Sequence, residues 1–444
     1  MKIFIAALML LATSVVYAQD NTMEGTWKGS FTLNGSNVGM IFNINHTNGK
    51  YAVKLDVPVQ NIMGLKADTV IIENKNIEIS FELLKLIYNG KINETGKMIG
   101  SFVQGGYHIP LDMEKVEKEV RYQALNDLYT ATNVEFTNQK AGIKLRGTLT
   151  MPKNKTNVPA VVLISGSGLQ NRDEELMGQR PFERIADYLS SRGIAVLRYD
   201  DRGFAESEGD AESSDMYDLT EDALAAFNFL KQNKQVDSKK IGLIGHSEGG
   251  GIAYIAASEH KDITFIIPLA GPAITGEEII LGQSRRILET MNAPEENIQA
   301  AYNTNKTLYE LAKNGASTNE MAEKMKELGM PDDAVKANAK ILTSKSYVSL
   351  LKFNPAEYIS KISCPVLALF GEKDVQVIVP DNNEALEKLV KDNNLRNFTV
   401  KVMPNLNHIF QESVTGMLAD YGRTEYPAMN DDTLKMVYDF ISKQ

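Results

Sequence analysis

The chain has 444 residues, a formal net charge of −10 and 43% hydrophobic residues, which is the composition of an ordinary globular protein. This length allows two domains, or one large domain with an insertion. The acidic balance, without a block of Lys and Arg, argues against a nucleic-acid partner, because phosphates need clustered positive charge.

The first eighteen residues have the pattern of a secretory signal peptide. Lys2 supplies a positive charge, residues 3–16 form an apolar run too short to span a membrane comfortably, and residues 16–18 form a small-residue cleavage site. The alternatives are a buried N-terminal strand and a membrane anchor. We expect cleavage before Gln19 and an extracytoplasmic protein, periplasmic or secreted, without a membrane span after the signal is removed.

Residues 19–116 alternate polar and apolar side chains with a period near two, as in "GTWKGSFTL", and Asn89-Gly90 is typical of a turn between strands. This pattern predicts a small antiparallel all-β domain, either a barrel or a sandwich. It contains no recognisable set of catalytic residues, and its role stays open. A charged helical pattern over residues 117–130 predicts a connector.

From residue 131 to residue 444, strand patterns alternate with helix patterns. Continuous apolar runs such as "VPAVVLIS" predict parallel strands covered on both faces, and amphipathic stretches such as "PFERIADYLSSRG" predict the helices between them. The alternation predicts an α/β domain with a mostly parallel sheet and helices on both faces. Residues 276–353 contain helical patterns only, which predicts a helical cap inserted above the strand ends.

A serine lies between glycines at a predicted strand-to-helix junction, in Gly245-His246-Ser247-Glu248-Gly249. The glycines let strand and helix approach closely. The serine is presented at the helix N-terminus, where amide groups and the helix dipole favour a developing negative charge. The pattern alone is moderately specific, and the strand before it and the helix after it strengthen it. It predicts Ser247 as a catalytic nucleophile.

A serine hydroxyl needs a base to take its proton. Of the five histidines, only His408 lies beyond the last predicted strand, where a loop can bring an imidazole to the serine. The carboxylate that orients this base is predicted to be Asp374, which follows a predicted strand; Glu372 is the runner-up and Asp381 is a weaker third candidate. The chain order Ser, Asp, His is that of an α/β-hydrolase.

Two backbone amides are expected to bind the oxyanion of the reaction. One is the N–H of Glu248, and the other should follow the strand "VVLIS", where we predict the N–H of Ser167. We expect no metal and no cofactor. The chain has no His-Glu-x-x-His sequence and no glycine-rich phosphate loop followed by Lys and Ser or Thr.

A family resemblance rests on the segments "SGSGLQNRDE", "LRYDDRGFAES", "GHSEGG", "FGEKD" and "NHIF". From about residue 132 onward, the chain resembles the serine α/β-hydrolases, in particular extracytoplasmic bacterial esterases with an N-terminal β domain, and is similar to serine aminopeptidase S33-type hydrolases. The resemblance implies ester hydrolysis through an acyl-enzyme without a cofactor. It also implies Ser247 as nucleophile, Asp374 as acid and His408 as base.

Two positions depart from the family pattern. Ser165 stands before Gly166 where the family commonly has histidine, and Ala205 stands where the Arg-Gly-x-Gly-x-Ser pattern has its second glycine. The first departure concerns the loop that supplies an oxyanion donor, and the second concerns loop geometry.

The leading hypothesis is a carboxylic ester hydrolase with a Ser-His-Asp triad that acts on small to medium acyl esters. A serine aminopeptidase-type hydrolase is the first alternative, because the same triad cleaves amides and Glu248 could bind the substrate amine. A non-catalytic ligand-binding protein is the second. The acyl and alcohol specificity and the oligomeric state cannot be predicted from the sequence.

Overall fold

A computed structural model describes residues 23–444 except residues 34–35, 48–49, 58–61, 74, 105–106, 117–126, 212, 291 and 423–425. The predicted signal peptide, residues 1–18, lies outside the described residues, and so does most of the predicted connector. The chain forms two compact units, Met1–Glu119 and Val120–Gln444. Among the described residues, no helix combines the length and the apolar character needed to cross a membrane.

Within its described residues, the first unit is built from antiparallel strands and one turn of 3-10 helix, Glu82–Leu84. Their bounds are β1 Gly25–Leu33, β2 Ser36–Thr47, β3 Lys50–Val57, β4 Ile62–Lys66, β5 Thr69–Glu73, β6 Asn76–Phe81, β7 Leu86–Ile92, β8 Met98–Gln104, β9 Tyr107–Pro110 and β10 Glu114–Val116. They form two five-stranded sheets, with the spatial orders β10-β1-β2-β3-β4 and β5-β6-β7-β8-β9.

Aromatic side chains from both sheets share the apolar core of the first unit. Phe42 of β2 stacks on Phe81 of β6, with ring centroids 6.1 Å apart, and meets Tyr88 of β7 edge-on at 5.0 Å. Trp27 is buried in the same cluster. The prediction of an all-β domain is confirmed.

Asn89 and Gly90 lie inside strand β7, opposite Ser101 and Gly100 of β8, and the prediction of a turn there is wrong. The side chain of Tyr88 covers this point, since a Cβ on either glycine would collide with the tyrosine ring. The glycines therefore make room for an aromatic ring inside the sheet.

The second unit contains one eight-stranded sheet. Its strands are β11 Tyr129–Asn138, β12 Ile143–Pro152, β13 Val158–Ile164, β14 Ala195–Tyr199, β15 Val236–His246, β16 Ile266–Leu269, β17 Val366–Gly371 and β18 Phe398–Met403, in the spatial order β11-β12-β14-β13-β15-β16-β17-β18. The pairs β11–β12 and β12–β14 are antiparallel and the others are parallel. The last two residues of the predicted connector already belong to β11.

The helices of the second unit, among its described residues, are α1 Pro181–Ser190, α2 Met216–Lys231, α3 Glu248–Glu259, α4 Gly276–Thr290, α5 Glu295–Lys313, α6 Thr318–Glu327, α7 Asp332–Leu342, α8 Lys345–Lys352, α9 Ala356–Ile359, α10 Val379–Asp392, α11 Leu418–Tyr421 and α12 Asp431–Ile441. Sequence signals explain several helix starts: α1 begins with a proline, and α2 begins with a capping box of Asp215 and Asp218. The predicted α/β fold, with its mostly parallel sheet, is confirmed.

Helices α4 to α8 form a cap inserted between β16 and β17. Met321 and Met325 are completely buried in an apolar cluster that belongs to these helices alone. The two ends of the insertion meet, because the amide of Gly276 donates to the carbonyl of Phe353 at 2.9 Å. A Cβ on Gly276 would collide with the Leu350 carbonyl, so only glycine permits this approach.

Candidate active site

Ser247 lies on a sharp turn between β15 and α3. Its φ is 53° and its ψ is −118°, a backbone conformation that residues with a Cβ rarely adopt. Its amide donates to the carbonyl of Leu269, at the end of the neighbouring strand β16, at 2.9 Å. A Cβ on Gly245 or on Gly249 would collide with backbone atoms. The glycines thus allow the turn that presents the serine.

Asp374 and His408 form a buried pair. The Nδ1 of His408 donates to the Oδ2 of Asp374 at 2.7 Å, and both residues are 4% exposed. The other oxygen of Asp374 accepts from the amides of Gln376 at 2.7 Å and Val377 at 2.9 Å. These bonds fix the carboxylate and turn the Nε2 of His408 away from it, which leaves that nitrogen available to accept a proton.

Adjacent strands bring this pair together. Asp374 follows β17 and His408 follows β18, and the two strands run parallel as neighbours. A Cβ on Gly371, the last residue of β17, would collide with the carbonyl of Asn407. The Asn407 side chain also accepts from the amides of Ile409 and Gln411, which closes the loop around His408.

The other two acidic candidates lie elsewhere. Glu372 accepts from the amide of Asn405 at 2.8 Å. Asp381 is exposed in the first turn of α10. Of the three acids considered from the sequence, Asp374 is the one that contacts His408.

His246, the residue before Ser247, lies beside His408. The ring centroids of His246 and His408 are 4.6 Å apart, and the Nε2 of His246 donates to the backbone carbonyl of His408 at 2.9 Å. Within the described part of the chain, no hydrogen bond joins the Ser247 hydroxyl to the His408 ring. Such bonds are often long in structures without substrate.

The loop Ser165–Gly168, which we call the oxyanion loop, follows β13 and lies against Ser247. A Cβ on Gly166 would be 3.2 Å from the Cβ of Ser247. The hydroxyl of Ser165 donates to the Oδ1 of Asp201 at 2.5 Å. The serine that replaces the usual histidine of the family is therefore bonded to the half-buried carboxyl of Asp201, and desolvation raises the pKa of that carboxyl.

Three amides of this region differ in their partners. The amide of Gly166 donates to the Oε1 of Glu174 at 2.7 Å. Ser167 is exposed, and among the described residues nothing accepts from its amide. Glu248 is the first residue of α3, so its amide has no acceptor within the helix. Of these three amides, those of Ser167 and Glu248 therefore have no acceptor among the described residues, and their role as oxyanion donors stays a prediction.

The Glu248 side chain is 8% exposed. Burial raises the pKa of its carboxyl to about 7. Among the described residues no group donates a hydrogen bond to this carboxyl. It is therefore present in both neutral and charged forms near pH 7.

Three buried ion pairs near these loops were missed by sequence reasoning. Their side chains are at most 7% exposed, and the pairs are Arg172–Asp200, Arg198–Asp173 and Arg202–Asp222. All the residues but Asp222 come from two of the segments that carried the family resemblance. An arginine inside the apolar strand β14 was a usable signal, because a buried charge needs a partner. The sequence does not say which partner.

Glu174 and His246 were also missed. The Nδ1 of His246 donates to the Oε1 of Glu174 at 2.8 Å, and both side chains are buried. Glu174 has φ 51°, which is unusual for a residue other than glycine. Glu174 lies in the segment "NRDEE", and such a run of polar and charged residues is typical of a solvent-exposed loop.

No group of three or more His, Cys, Asp or Glu side chains within the described ranges is arranged to hold a metal ion. The expectation that the protein uses neither a metal nor a cofactor stays a prediction.

Comparison with known proteins gives a family match. The profile of the serine aminopeptidase S33 family matches residues 179–413, which is more than half of the chain. Ser247, Asp374 and His408 lie inside this stretch, whereas Ser167 and Glu174 precede it.

Individual relatives match this chain at low sequence identity. The esterase EstD of Thermotoga maritima is 31% identical over 265 residues, and the match covers 60% of this chain and 58% of that relative. The α/β-hydrolase GrgF from Penicillium is a solved structure at 20% identity and a TM-score of 0.45, covering 70% of this chain and 98% of that one. An esterase of Pyrococcus furiosus has 19% identity and a TM-score of 0.44, covering 71% and 91%.

Proposed function

The chain belongs to the serine aminopeptidase S33 family of α/β-hydrolases, and from this we propose that it hydrolyses carboxylic esters through an acyl-enzyme on Ser247. The observation that carries the proposal is the 2.7 Å bond between His408 and Asp374 beside the strained turn of Ser247. The likeness to an esterase from Thermotoga maritima supports an ester rather than an amide substrate.

In the first half of the reaction, the Ser247 hydroxyl attacks the ester carbonyl while the Nε2 of His408 takes its proton. Asp374 holds Nδ1 and stabilises the imidazolium that forms. The amides of Ser167 and Glu248 bind the oxyanion, and the N-terminus of α3 favours its charge. The carbon–oxygen bond to the alcohol then breaks, and His408 returns the proton to the departing alcohol.

In the second half, a water molecule repeats the attack on the acyl group. His408 takes one proton from the water, and the acid leaves as the bond to the Ser247 oxygen breaks. His408 returns its proton to the departing Ser247 oxygen, which restores the hydroxyl. The cycle consumes one ester and one water and yields one acid and one alcohol, so it needs no cofactor.

The test is the hydrolysis of 4-nitrophenyl butyrate by the variant Ser247→Ala. We expect kcat to fall by a factor of about 10⁴ or more, because the nucleophile is removed. Ser258→Ala is the matched control, since this hydroxyl lies in α3, the helix that follows Ser247, and donates to the carbonyl of Ile255 within that helix.

Full turnover by Ser247→Ala would overturn the proposal. A fluorophosphonate probe provides a second readout, because it should label the wild-type protein and Ser258→Ala but not Ser247→Ala. Absence of labelling of the wild-type protein would instead favour the non-catalytic ligand-binding protein.

An aminopeptidase-type activity is the second candidate, and Glu248 favours it. Its buried carboxyl has no described hydrogen-bond donor and follows Ser247 directly. A substrate ammonium group could therefore pair with it out of contact with water. Aminoacyl 4-nitroanilides separate the two activities: for a peptidase, Glu248→Gln should abolish anilide cleavage while sparing simple esters.

We further propose that the protein acts outside the cytoplasm, on the pattern of its first eighteen residues. N-terminal sequencing of the protein from the extracytoplasmic fraction should begin at Gln19. An uncleaved chain in the cytoplasm would contradict this.

A further inference from the structure

His246 connects two loops of the candidate site through both of its ring nitrogens. Nδ1 lies 2.8 Å from the Oε1 of Glu174, and Nε2 lies 2.9 Å from the backbone carbonyl of His408. The carbonyl has no proton to donate, and Oε1 already accepts from the amide of Gly166. Both ring nitrogens must therefore donate, which makes His246 an imidazolium.

The charge of this imidazolium depends on its neighbours. Burial, the largest influence, lowers the pKa of His246, but the Glu174 carboxylate, the His408 carbonyl and Asp374 together raise it above its ordinary value. His246 is 4% exposed and Glu174 is 5% exposed. A single charge at this depth would be strongly unfavourable, so the cation and the carboxylate need each other.

The pair touches all three segments that form the candidate site. Glu174 holds the amide of Gly166, and so fixes the oxyanion loop against Ser247. His246 is joined to Ser247 by a peptide bond. Its Nε2 holds the loop that carries His408.

Glu174 occupies its position under strain. Its φ of 51° is unfavourable for a residue with a Cβ. Its second oxygen, Oε2, is buried without a partner among the described residues. Such unfavourable features persist where the surrounding structure enforces them, and they are concentrated at functional sites.

We propose that Glu174 and His246 act as charged positioning residues that hold the oxyanion loop and the His408 loop in register with Ser247. The inference rests on the proposed function, because positioning requires a reaction at Ser247. If His246 lost one of its two ring protons, either Glu174 or the His408 carbonyl would no longer receive a hydrogen bond. The loop that carries this acceptor would then be released.

This proposal predicts a pH dependence of turnover. The ionisable groups that face His246 are Glu174, Asp374 and the ring of His408. His246 is charged below its pKa, so turnover should fall as the pH rises through that pKa. His408 is neutral when it acts as a base, so the two histidines are expected to work in opposite charge states.

The first experiment measures kcat and KM for 4-nitrophenyl butyrate against pH in Glu174→Gln. This change keeps the shape and removes the charge that holds the proton on His246. We expect kcat to fall by a factor of about 10 to 100, since small displacements of reacting groups have effects of this size. KM should stay about the same. The fall of kcat at high pH, which we call the alkaline limb, should move to lower pH by about one unit or more.

Asp173→Asn is the matched control. Asp173 is the adjacent residue and equally buried, but it pairs with Arg198 instead of His246. Its loss should lower stability and leave the alkaline limb in place. An alkaline limb that does not move in Glu174→Gln, or that moves equally in both variants, would overturn the proposal.

A second experiment does not depend on the folding of a variant at Glu174. The 13Cε1 signal of His246 in the wild-type protein is assigned by its absence from His246→Gln, and is then followed between pH 6 and pH 9. We expect the signal of an imidazolium at neutral pH. A neutral ring at pH 6 would overturn the proposal.

The two proposals fail differently. Retained turnover in Ser247→Ala would remove the reaction and with it the positioning role. If Ser247→Ala is inactive but the alkaline limb does not move in Glu174→Gln, the proposed hydrolase activity stands. Only the positioning role of Glu174 and His246 is then rejected.

Discussion

Two histidine–carboxylate pairs lie side by side in the second unit, and their geometry is nearly the same. The bond from His408 to Asp374 is 2.7 Å long and the bond from His246 to Glu174 is 2.8 Å long. All four residues are almost completely buried. The pairs differ at the second ring nitrogen. In His246, Nε2 donates to a backbone carbonyl; in His408, Nε2 has no partner among the described residues.

This difference teaches that a carboxylate contact alone does not make a histidine a base. An imidazole with acceptors at both nitrogens keeps both protons and acts as a fixed cation. An imidazole with one free nitrogen can accept and return a proton. On this reasoning we propose His408 as the base and His246 as a positioning residue.

The proposed difference between His408 and His246 is tested most strongly by removing each imidazole in turn. His408→Gln should lower kcat by a factor of about 10⁵ to 10⁶, as expected for loss of a base in a triad. His246→Gln should lower kcat by a factor of about 100 or less, because it displaces reacting groups without removing them. Steady-state kinetics with 4-nitrophenyl butyrate measures both.

Equal losses in the two histidine variants would contradict the division of roles. Thermal unfolding of both variants serves as the control, since a variant that does not fold says nothing about chemistry.

Glu248 adds a third case to this comparison of buried carboxyls, because it follows Ser247 directly and has no cationic partner among the described residues. Burial raises its pKa to about 7 from an ordinary value of 4.5. Its contribution to stability is therefore fully present below about pH 4.5 and is lost as the pH rises through about 7. At about 1.4 kcal/mol per pKa unit, the loss is on the order of 3 kcal/mol.

Urea unfolding at pH 5 and pH 8 measures this contribution. Glu248→Gln stays neutral, so its free energy of unfolding should fall less than that of the wild-type protein between these pH values. Glu384→Gln, an exposed position on α10, should behave as the wild-type protein does. An unchanged pH dependence in Glu248→Gln would mean that the carboxyl has a partner after all.

The smallest expected effect concerns backbone strain. Glu174 at φ 51° and Ala205 at φ 45° share an unfavourable conformation, but only Glu174 uses its side chain in a charge pair. Ala205→Gly should therefore stabilise the protein by about 0.5 kcal/mol, the relief of strain less the added freedom of the unfolded chain. Glu174→Gly should destabilise it, and the melting temperatures of both variants test this.

Much of the second unit could be predicted from its sequence, because the spacing of apolar residues shows which faces of a strand or helix are buried. Apolar runs gave strands such as β13 and β17, and the spacing of Gly245 and Gly249 gave the turn at Ser247. The neighbouring positions of β17 and β18 then explain why Asp374 and His408 meet. The assignment of roles to Ser247 and His408 stays a prediction.

Contacts between distant segments could not be predicted. Glu174 and His246 meet only in the folded chain, and nothing local distinguishes a buried glutamate from an exposed one. The segment "NRDE" reads as polar loop, although three of its four residues are buried. The prediction of a turn at Asn89-Gly90 was wrong for a different reason, because Gly90 accommodates the ring of Tyr88 inside the sheet and does not bend the chain.

The two ends of the cap meet at a hydrogen bond between Gly276 and Phe353. Because the two ends of the insertion meet, its length and sequence can vary without a change in the register between β16 and β17. Its five helices also carry their own apolar cluster. A different helical insert could therefore replace this one, provided that it kept the contacts with the sheet domain, such as the ion pair of Lys345 on α8 with Asp218 on α2.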